Sequence, residues 1–381
     1  MGVSRRKLLV AGGATALVTF AGVYGVLSSP SLKRASQPWR QAGLGFQDPR
    51  LNALSYAILA PNPHNRQPWQ FALVGEDAID VTCDLDRRLP ATDPFDRQIT
   101  IGFGCMLETL SLAAARAGFR AEIDPFPDGA GRPRLDRGRV AHVRFVADGA
   151  KPDPLAEAIL ERRSTKEPFA GRDVGEADLR ALSASLTERV RFGFTKDDAE
   201  RAAIADNAWR GWVIEQETDA TRRESIEVMR IGNDAVVEQP DGIDLGGTFM
   251  SAAHAAGIVT HETLDTPGSL ASQSGYDMYS AMVESTPRWA WLVTDDNSRR
   301  EQIEAGRSWV RVNLAAQARG LAVHPWSQTL QEFPEMAGLY AELHKLVAPG
   351  GGTVQMLARV GYGPPVPASP RWPLEAKLID A

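Results

Sequence analysis

Cysteine is scarce: Cys83 and Cys105 are the only two in 381 residues, too few for a disulfide framework or a four-cysteine zinc site and enough for at most one bridge. A dominant charge is also missing. The 42 basic and 48 acidic residues leave a net of −6, which argues against a polyanion-binding surface, so nucleic acid is not an expected partner. No Gly-x-Gly-x-x-Gly opens a first helix, and there is no P-loop, no Gly-x-Ser-x-Gly and no His-Glu-x-x-His. The usual fingerprints of dinucleotide folds, NTPases, serine hydrolases and zinc proteases are therefore lacking. His254, His261 and Glu262 could share a helix face, but two histidines at that spacing are a poor basis for a metal site, and none is expected.

The first positive signal is at the N-terminus. Ser4-Arg5-Arg6-Lys7-Leu8-Leu9 precedes an uncharged, Ala-, Gly-, Val- and Leu-rich stretch that runs to Leu32. A basic n-region leading into an apolar segment, with paired arginines, resembles a twin-arginine signal. Residues 1–29 are accordingly expected to be an export signal, best cleaved at Val26-Leu27-Ser28, or an anchor, since an uncharged run of this length can also span a bilayer. Either places the protein in the periplasm or on the outer face of the cytoplasmic membrane, touching the membrane only through this segment. Residues 30–47, rich in Pro, Gly, Ser and Gln, read as a linker, with order beginning near Asp48.

From there the chain divides into two related parts, 48–150 and 151–381. Asp48-Pro49 is an N-cap followed by an N1 proline, and Leu51, Leu54 and Ile58 continue at helical spacing up to Pro61. Strands are expected at Phe71–Val74 and Ile79–Cys83, an Ala-rich helix over 97–119 and a strand at Val140–Val146. Asp153-Pro154 repeats the opening signal, with a second Ala-rich helix over 299–321 and a strand at Val354–Val360. An offset of 202 pairs Gly104 with Gly306, Leu112 with Leu314, Ala113 with Ala315, Ala114 with Ala316 and Gly118 with Gly320. Pro68, Leu73 and Val74 also match Pro287, Leu292 and Val293. Such a pattern is a degenerate duplication rather than a short-period solenoid.

Four segments could carry chemistry. Arg162-Arg163-Ser164-Thr165-Lys166 could hold a phosphate dianion by charge-assisted hydrogen bonds. It could equally complement a helix C-terminus, with Ser164 and Glu167 as a capping box. Pro61-Asn62-Pro63-His64-Asn65-Arg66-Gln67-Pro68-Trp69 is a Pro-stiffened loop whose amides suit a heteroaromatic ring with several donors and acceptors, or a structural turn delivering Trp69 to the core. Gly320 to Gln328 takes a helix C-cap into a polar and aromatic stretch, His324-Pro325-Trp326-Ser327, where Trp326 lines a planar ligand or lies in the core. Gly361-Tyr362-Gly363 leads through a Pro-rich tail to Arg371.

Together these residues resemble the nitroreductase family. Arg162-x-Ser164-Thr165-Lys166 is similar to its phosphate motif. Ala60-Pro61-x-x-x-Asn65-x-Gln67-Pro68-Trp69 is similar to its second signature, which in dimeric members comes from the partner subunit. Gly320 through Gln328 takes the place of the loop whose backbone N–H faces flavin N5, and Arg371 that of a C-terminal basic residue near the FMN phosphate. The Pro-Asn loop precedes the phosphate motif here, the reverse of the usual order. That reversal, with Arg97-Gln98, Arg300-Glu301 and Ser369-Pro370-Arg371-Trp372-Pro373-Leu374, resembles the Acg-type branch, a fused pseudo-dimer with one FMN.

The resemblance implies an α+β fold, with a central, mainly antiparallel sheet flanked by helices and two related halves. It implies FMN bound by Pro61, Asn62, Pro63, His64, Asn65, Gln67, Arg162, Arg163, Ser164, Lys166, His324, Pro325, Trp326, Ser327 and Arg371. Catalysis falls to the flavin itself, with Trp326 and Ser327 the nearest protein candidates. The expected activity is ping-pong transfer at N5 from NAD(P)H or another reductant to a nitro, quinone or similar small-molecule acceptor, by a monomer acting as a pseudo-dimer. A flavin-sequestering protein without turnover is the alternative. Asn62-Pro63 replaces the family's Ser-Ser, and glycine-rich residues 225–286 have no counterpart in minimal members and suit a mobile cover.

Overall fold

A computed structural model describes residues 30–131 and 133–380; the expected signal or anchor at 1–29 falls outside them. Asp48 caps helix α1 (Pro49–Ala57) by accepting the Arg50 N–H. Pro49 takes the first helical position, where a missing donor costs nothing. Strands β1 (Trp69–Val74) and β2 (Ala78–Cys83) pair antiparallel from Trp69 opposite Cys83 to Val74 opposite Ala78. Helix α2 (Arg97–Arg116), β3 (Phe119–Pro125) and β4 (Arg139–Ala147) complete the first half. Its sheet has the order β1-β2-β4-β3 and is antiparallel throughout.

The second half opens at Asp153, which again caps its own turn by accepting the Leu155 N–H. It contains β5 (Arg191–Phe194), α3 (Asp198–Glu217), a short parallel pair β6 (Met229–Ile231) and β7 (Ile243–Leu245), and α4 (Leu270–Glu284). Then come β8 (Arg288–Thr294), α5 (Arg299–Gln317), β9 (Ala322–Pro325), α6 (Ala337–Val347) and β10 (Thr353–Gly361). Its antiparallel sheet is ordered β5-β8-β10-β9. The two orders match position for position, so the α+β duplication extends to topology. One sequence match is corrected by this. Pro68, Leu73 and Val74 lead into or lie in β1, whereas Pro287, Leu292 and Val293 accompany β8, the counterpart of β2. Buried apolar strands resemble one another locally, and only pairing tells a strand from its neighbour.

The halves meet where α2 crosses α5. A Cβ at Gly104 would stand 2.2 Å from the Ile303 carbonyl oxygen, and one at Gly306 2.0 Å from that of Ile101. The glycines aligned by the 202-residue offset therefore face each other and allow backbone-to-backbone contact. Alongside, Glu108 accepts from Arg307 Nε at 2.9 Å and from Arg311 Nη1 at 2.7 Å. Helix α2 is long and apolar enough to cross a membrane by length and composition, but 83% of its most apolar window is buried between the sheets. Cys83 and Cys105 are buried and unpaired, not bridged, and burial pushes the Cys83 thiol up to about 12.

Two segments differ from expectation. Residues 30–47 are not a bare linker: they form helices at Pro30–Ala35 and Gln37–Gln41, with Leu32, Ala35, Trp39 and Ala42 buried. Their apolar residues are too few to announce a core face and find it only through distant partners, as when Trp39 Nε1 donates to the Ser369 carbonyl at 2.8 Å. Within 225–286, the expected mobile cover is fastened to the first half. Gln67 Nε2 donates to the Pro240 carbonyl at 2.7 Å, the Gly242 N–H to that of Asn65 at 3.1 Å, and Asp241 pairs with Arg87 and Arg230.

Candidate functional site

The Pro61–Trp69 loop is strained where it was expected to be functional. His64, Asn65 and Gln67 have φ of 44°, 52° and 49°, a left-handed conformation costing about 1–3 kcal/mol each at residues other than glycine. Such a turn persists only if its surroundings over-determine it. Asn62 Oδ1 accepts the Gln67 N–H at 2.7 Å, and Asn62 Nδ2 donates to the Ala60 carbonyl at 3.1 Å. The loop rests on α2 at Gly102, where a Cβ would lie 3.2 Å from both Asn62 and Pro63. Lys377 Nζ donates to the Gln67 carbonyl at 2.7 Å.

Three expected ligands prove to be fasteners of this loop. Buried Gln67 donates to Pro240 and Asn65 carbonyls and accepts the Trp372 N–H at 3.0 Å. Asn65 Nδ2 donates to the Pro370 carbonyl at 3.0 Å, while its Oδ1 accepts from Arg371. Arg371 also donates to the carbonyls of Ile58, Leu59 and Ala60 at 3.0, 3.1 and 3.1 Å, where the end of α1 leaves acceptors exposed. The polar atoms of both amides and of the guanidinium are occupied by backbone groups and by one another.

Beside the loop lies an uncompensated cluster of cations. Arg162 is buried and makes a single hydrogen bond among the described residues, from Nη2 to the Leu59 carbonyl at 3.2 Å. Four of its five N–H groups are thus unspent. The guanidinium carbons of Arg163, Arg371 and Arg162 stand 4.8, 5.4 and 5.7 Å from the centre of the Trp39 ring, in cation–π range. None of the three pairs with a carboxylate among the described residues. Burial, and secondarily the Arg163 charge, pulls Arg162 down to about 10. Burial, then Arg162 and Arg163, depresses Arg371 as well. Half-buried Ser164 adds a hydroxyl. No helix starts there, which removes the capping-box reading: the next α-helix is Glu176–Ser183.

The same motif is stitched to β9, for the Thr165 N–H donates to the Val323 carbonyl at 3.0 Å. That contact sets Lys166 near His324. Pro325 ends the strand, half-buried. Trp326 is not a lining residue: it is fully buried, donating from Nε1 to the Ala208 carbonyl at 3.0 Å and packing edge-on to Trp289 and Tyr279. Ser327 makes no hydrogen bond through its N–H or hydroxyl among the described residues. Next to it, Gln328 Oε1, Thr329 Oγ1 and Gln331 Oε1 are buried without partners, a concentration that native interiors avoid unless a ligand or water meets it.

Lys166 and Asp244 are exposed, yet surrounding protein opposes the charge of each, lowering the first and raising the second. Each feels the other's charge. Half-buried His64 feels Lys166 as well: burial, then Lys166 and Arg66, holds its pKa down at about 3. Glu215 of α3 lies buried, accepting from Gln331 Nε2 at 2.7 Å and Ser225 Oγ at 3.2 Å. Burial raises it from 4.5 to about 7. A raised carboxyl binds more protons folded than unfolded, so its contribution to stability is lost as pH rises from 4.5 to about 7. Glu215→Gln should therefore stabilise the protein by about 1–3 kcal/mol at pH near 8, and much less at pH near 5, as read by urea unfolding at the two values. His254 and His261, considered for a metal, each bond a backbone carbonyl, of Val259 and Met229 respectively.

Sequence reasoning missed Trp39, Asp244, Glu215 and Arg359. Only Arg359 carried a local signal, as the one charge in the apolar strand Thr353–Gly361.

No family model matches the chain. Two Mycobacterium tuberculosis proteins that bear the name NAD(P)H nitroreductase are similar to most of it. Rv3131 is 27% identical over 332 residues, covering 84% of this chain and 87% of that protein. The protein acg is 28% identical over 338 residues, covering 85% and 93%. Among solved structures, the FMN-dependent nitroreductase NfnB of Mycobacterium smegmatis, in complex with NADPH, aligns with a TM-score of 0.38 at 18% identity, covering 60% of this chain and 98% of its own. A nitroreductase-named protein of Anabaena variabilis aligns with 0.39 at 12% identity, covering 75% and 69%; superpositions this loose add no weight. By sequence, the chain is similar to proteins named as nitroreductases along most of its length.

Proposed function

We propose that this chain is an FMN-dependent oxidoreductase of the nitroreductase type, with one flavin bound where its two halves meet. The observation that carries the reading is buried Arg162, with most of its donors unspent, among guanidiniums that form no ion pair with a carboxylate among the described residues. A phosphate dianion fits that chemistry. Arg162, Arg163 and Ser164 would hold the phosphate, Lys166 would put positive charge at the ring edge, and the Ser327 N–H would meet an acceptor atom of the ring. FMN would supply the two-electron chemistry, passing reducing equivalents from NAD(P)H or another reductant to a nitro, quinone or similar acceptor. The chain's own task is to bind, orient and surround. The Lys166 ammonium favours an electron-rich ring, and neutral His64 adds no competing charge. The names borne by the relatives support the enzyme over a flavin store. Export by the twin-arginine route and action as a monomeric pseudo-dimer complete the proposal, on the strength of residues 4–9 and of the reversed motif order.

Replacing Arg162 and Lys166 together by Ala removes at least two charge-assisted contacts worth about 1.5–3 kcal/mol each, so FMN affinity should fall about 100-fold or more. Flavin fluorescence titration of the two proteins measures this. Undiminished, stoichiometric FMN in the folded variant would refute the assignment of the phosphate.

A further inference from the structure

We propose that Arg359 is a positioning residue that fixes His324 as its Nε2–H tautomer, so that the ring offers a neutral donor to a carbonyl or nitro oxygen bound beside Lys166. The identity of that oxygen rests on the flavoenzyme reading; the tautomer does not.

Both side chains are enclosed, Arg359 at 0% and His324 at 3% exposure. Arg359 Nη1 lies 3.1 Å from His324 Nδ1. A guanidinium has donors only, so Nδ1 must accept and the ring proton must sit on Nε2. The donor itself is held from three other directions. Its Nε donates to Thr286 Oγ1 at 2.7 Å, and its Nη2 to the Glu167 carbonyl at 3.2 Å and Ser285 Oγ at 3.4 Å. Phe169 packs across the guanidinium, 4.1 Å from its carbon. A guanidinium so fixed cannot swing away to let Nδ1 acquire a proton.

Protonation of His324 is opposed from every charged group that faces it: Arg359 on β10 and Lys166 on the 162–166 segment, added to burial, depress its pKa well below 6.5. An imidazolium would make a third cation there. The far nitrogen, Nε2, makes no hydrogen bond among the described residues and, unlike the rest of the enclosed ring, keeps some exposure, so its donor is open to an acceptor that enters beside it. Lys166 is close enough to be felt and makes no hydrogen bond among the described residues, so the acceptor is one that a cation also favours. An oxygen that gains electron density during reduction meets both conditions, and it has two sources, the flavin ring or the electron acceptor.

The test is long-range proton–nitrogen NMR on the FMN-free protein with 15N-labelled histidine. Six histidines are present, and the signal lost in His324→Gln identifies the one that matters. The Nε2–H pattern is expected at neutral pH, with no titration toward 6.5 on mild acidification. An Nδ1–H pattern or an imidazolium overturns the proposal. In Arg359→Met, which keeps volume while removing the donor, the tautomers should mix and the pKa should move up toward 6.5; an unchanged pure Nε2–H signal assigns the tautomer to something else. If that variant fails to fold, the wild-type pattern still decides. FMN is then added, followed by nitrobenzene under oxidising conditions in which it is not reduced. A shift of the His324 Nε2–H signal on the first addition places the oxygen on the flavin, and on the second on the acceptor. No shift on either overturns the donor role. Binding of FMN is read from visible absorption of the same sample, so failure to bind counts against the flavoenzyme reading while the tautomer result stands.

Discussion

Gly306→Val should yield little or no folded protein, and Gly306→Ala should be destabilised by about 3 kcal/mol or more. The reason lies in what the added carbon meets. At Gly306 it would stand 2.0 Å from the Ile101 carbonyl oxygen, 2.8 Å from the Gly104 Cα and 2.9 Å from the Cys105 nitrogen. All three are backbone atoms of a buried helix, so no side chain can turn aside, and relief requires α2 and α5 to separate. That separation opens the junction of the halves, including Glu108 with its partners Arg307 and Arg311. Against a typical total stability of about 5–15 kcal/mol, one methyl takes a large share. Gly104→Ala should behave alike, with 2.2 Å to the Ile303 carbonyl oxygen. Gly275 is the control: it lies in α4 with nothing within 4 Å of a Cβ, so Gly275→Ala should be neutral or stabilising by up to about 1 kcal/mol. Urea unfolding of the four proteins checks the ranking.

Arg371→Met should cost about 1–3 kcal/mol and weaken FMN binding without removing a direct ligand. The change deletes a buried cation that no carboxylate balances, which alone favours the variant. It also leaves the Ile58 carbonyl without its donor, frees Asn65 Oδ1, and takes one of two donors from the Leu59 and Ala60 carbonyls, which keep Arg162 Nη2 and Asn62 Nδ2. Each buried acceptor left unpaired costs about 1–3 kcal/mol, which outweighs the relieved charge. The loop with three left-handed residues is then underdetermined and should relax. Its effect is separable from loss of a ligand. Where Arg371 acts through the loop, proteolysis near residues 61–67 should accelerate in the FMN-free variant; a phosphate ligand alone would leave that rate unchanged.

Much of the scaffold was legible because its signals are local. Asp48-Pro49 and Asp153-Pro154 start turns where caps and N1 prolines place them, and the turn at Gly75 joins the expected hairpin. The Gly104–Gly306 pair is visible in sequence because it is needed twice, once on each helix. Strand β3 was missed, although Phe119, Ala121 and Ile123 alternate with Arg120, Glu122 and Asp124, because Phe119 follows the helix end at once and falls within the span expected to be helical. Residues 30–47 were misjudged since the burial of Trp39 depends on Arg162, Arg163 and Arg371, more than a hundred residues distant. At the site, residue types were read correctly as polar and constrained, but a motif cannot say whether an amide points at a ligand or at its own strained backbone. For Gln67 and Asn65 it is the backbone. Arg162 differs, and only the count of its unspent donors reveals it.

The central claim is one flavin per chain, held by Arg162 and its neighbours between the two halves. Its most direct measurement is the visible absorption of the full-length protein, purified and then titrated with FMN, with flavin released and counted against protein. The expected result is a yellow protein saturating at one FMN per chain. A colourless protein that takes up no added FMN, or one that saturates at two, would contradict it.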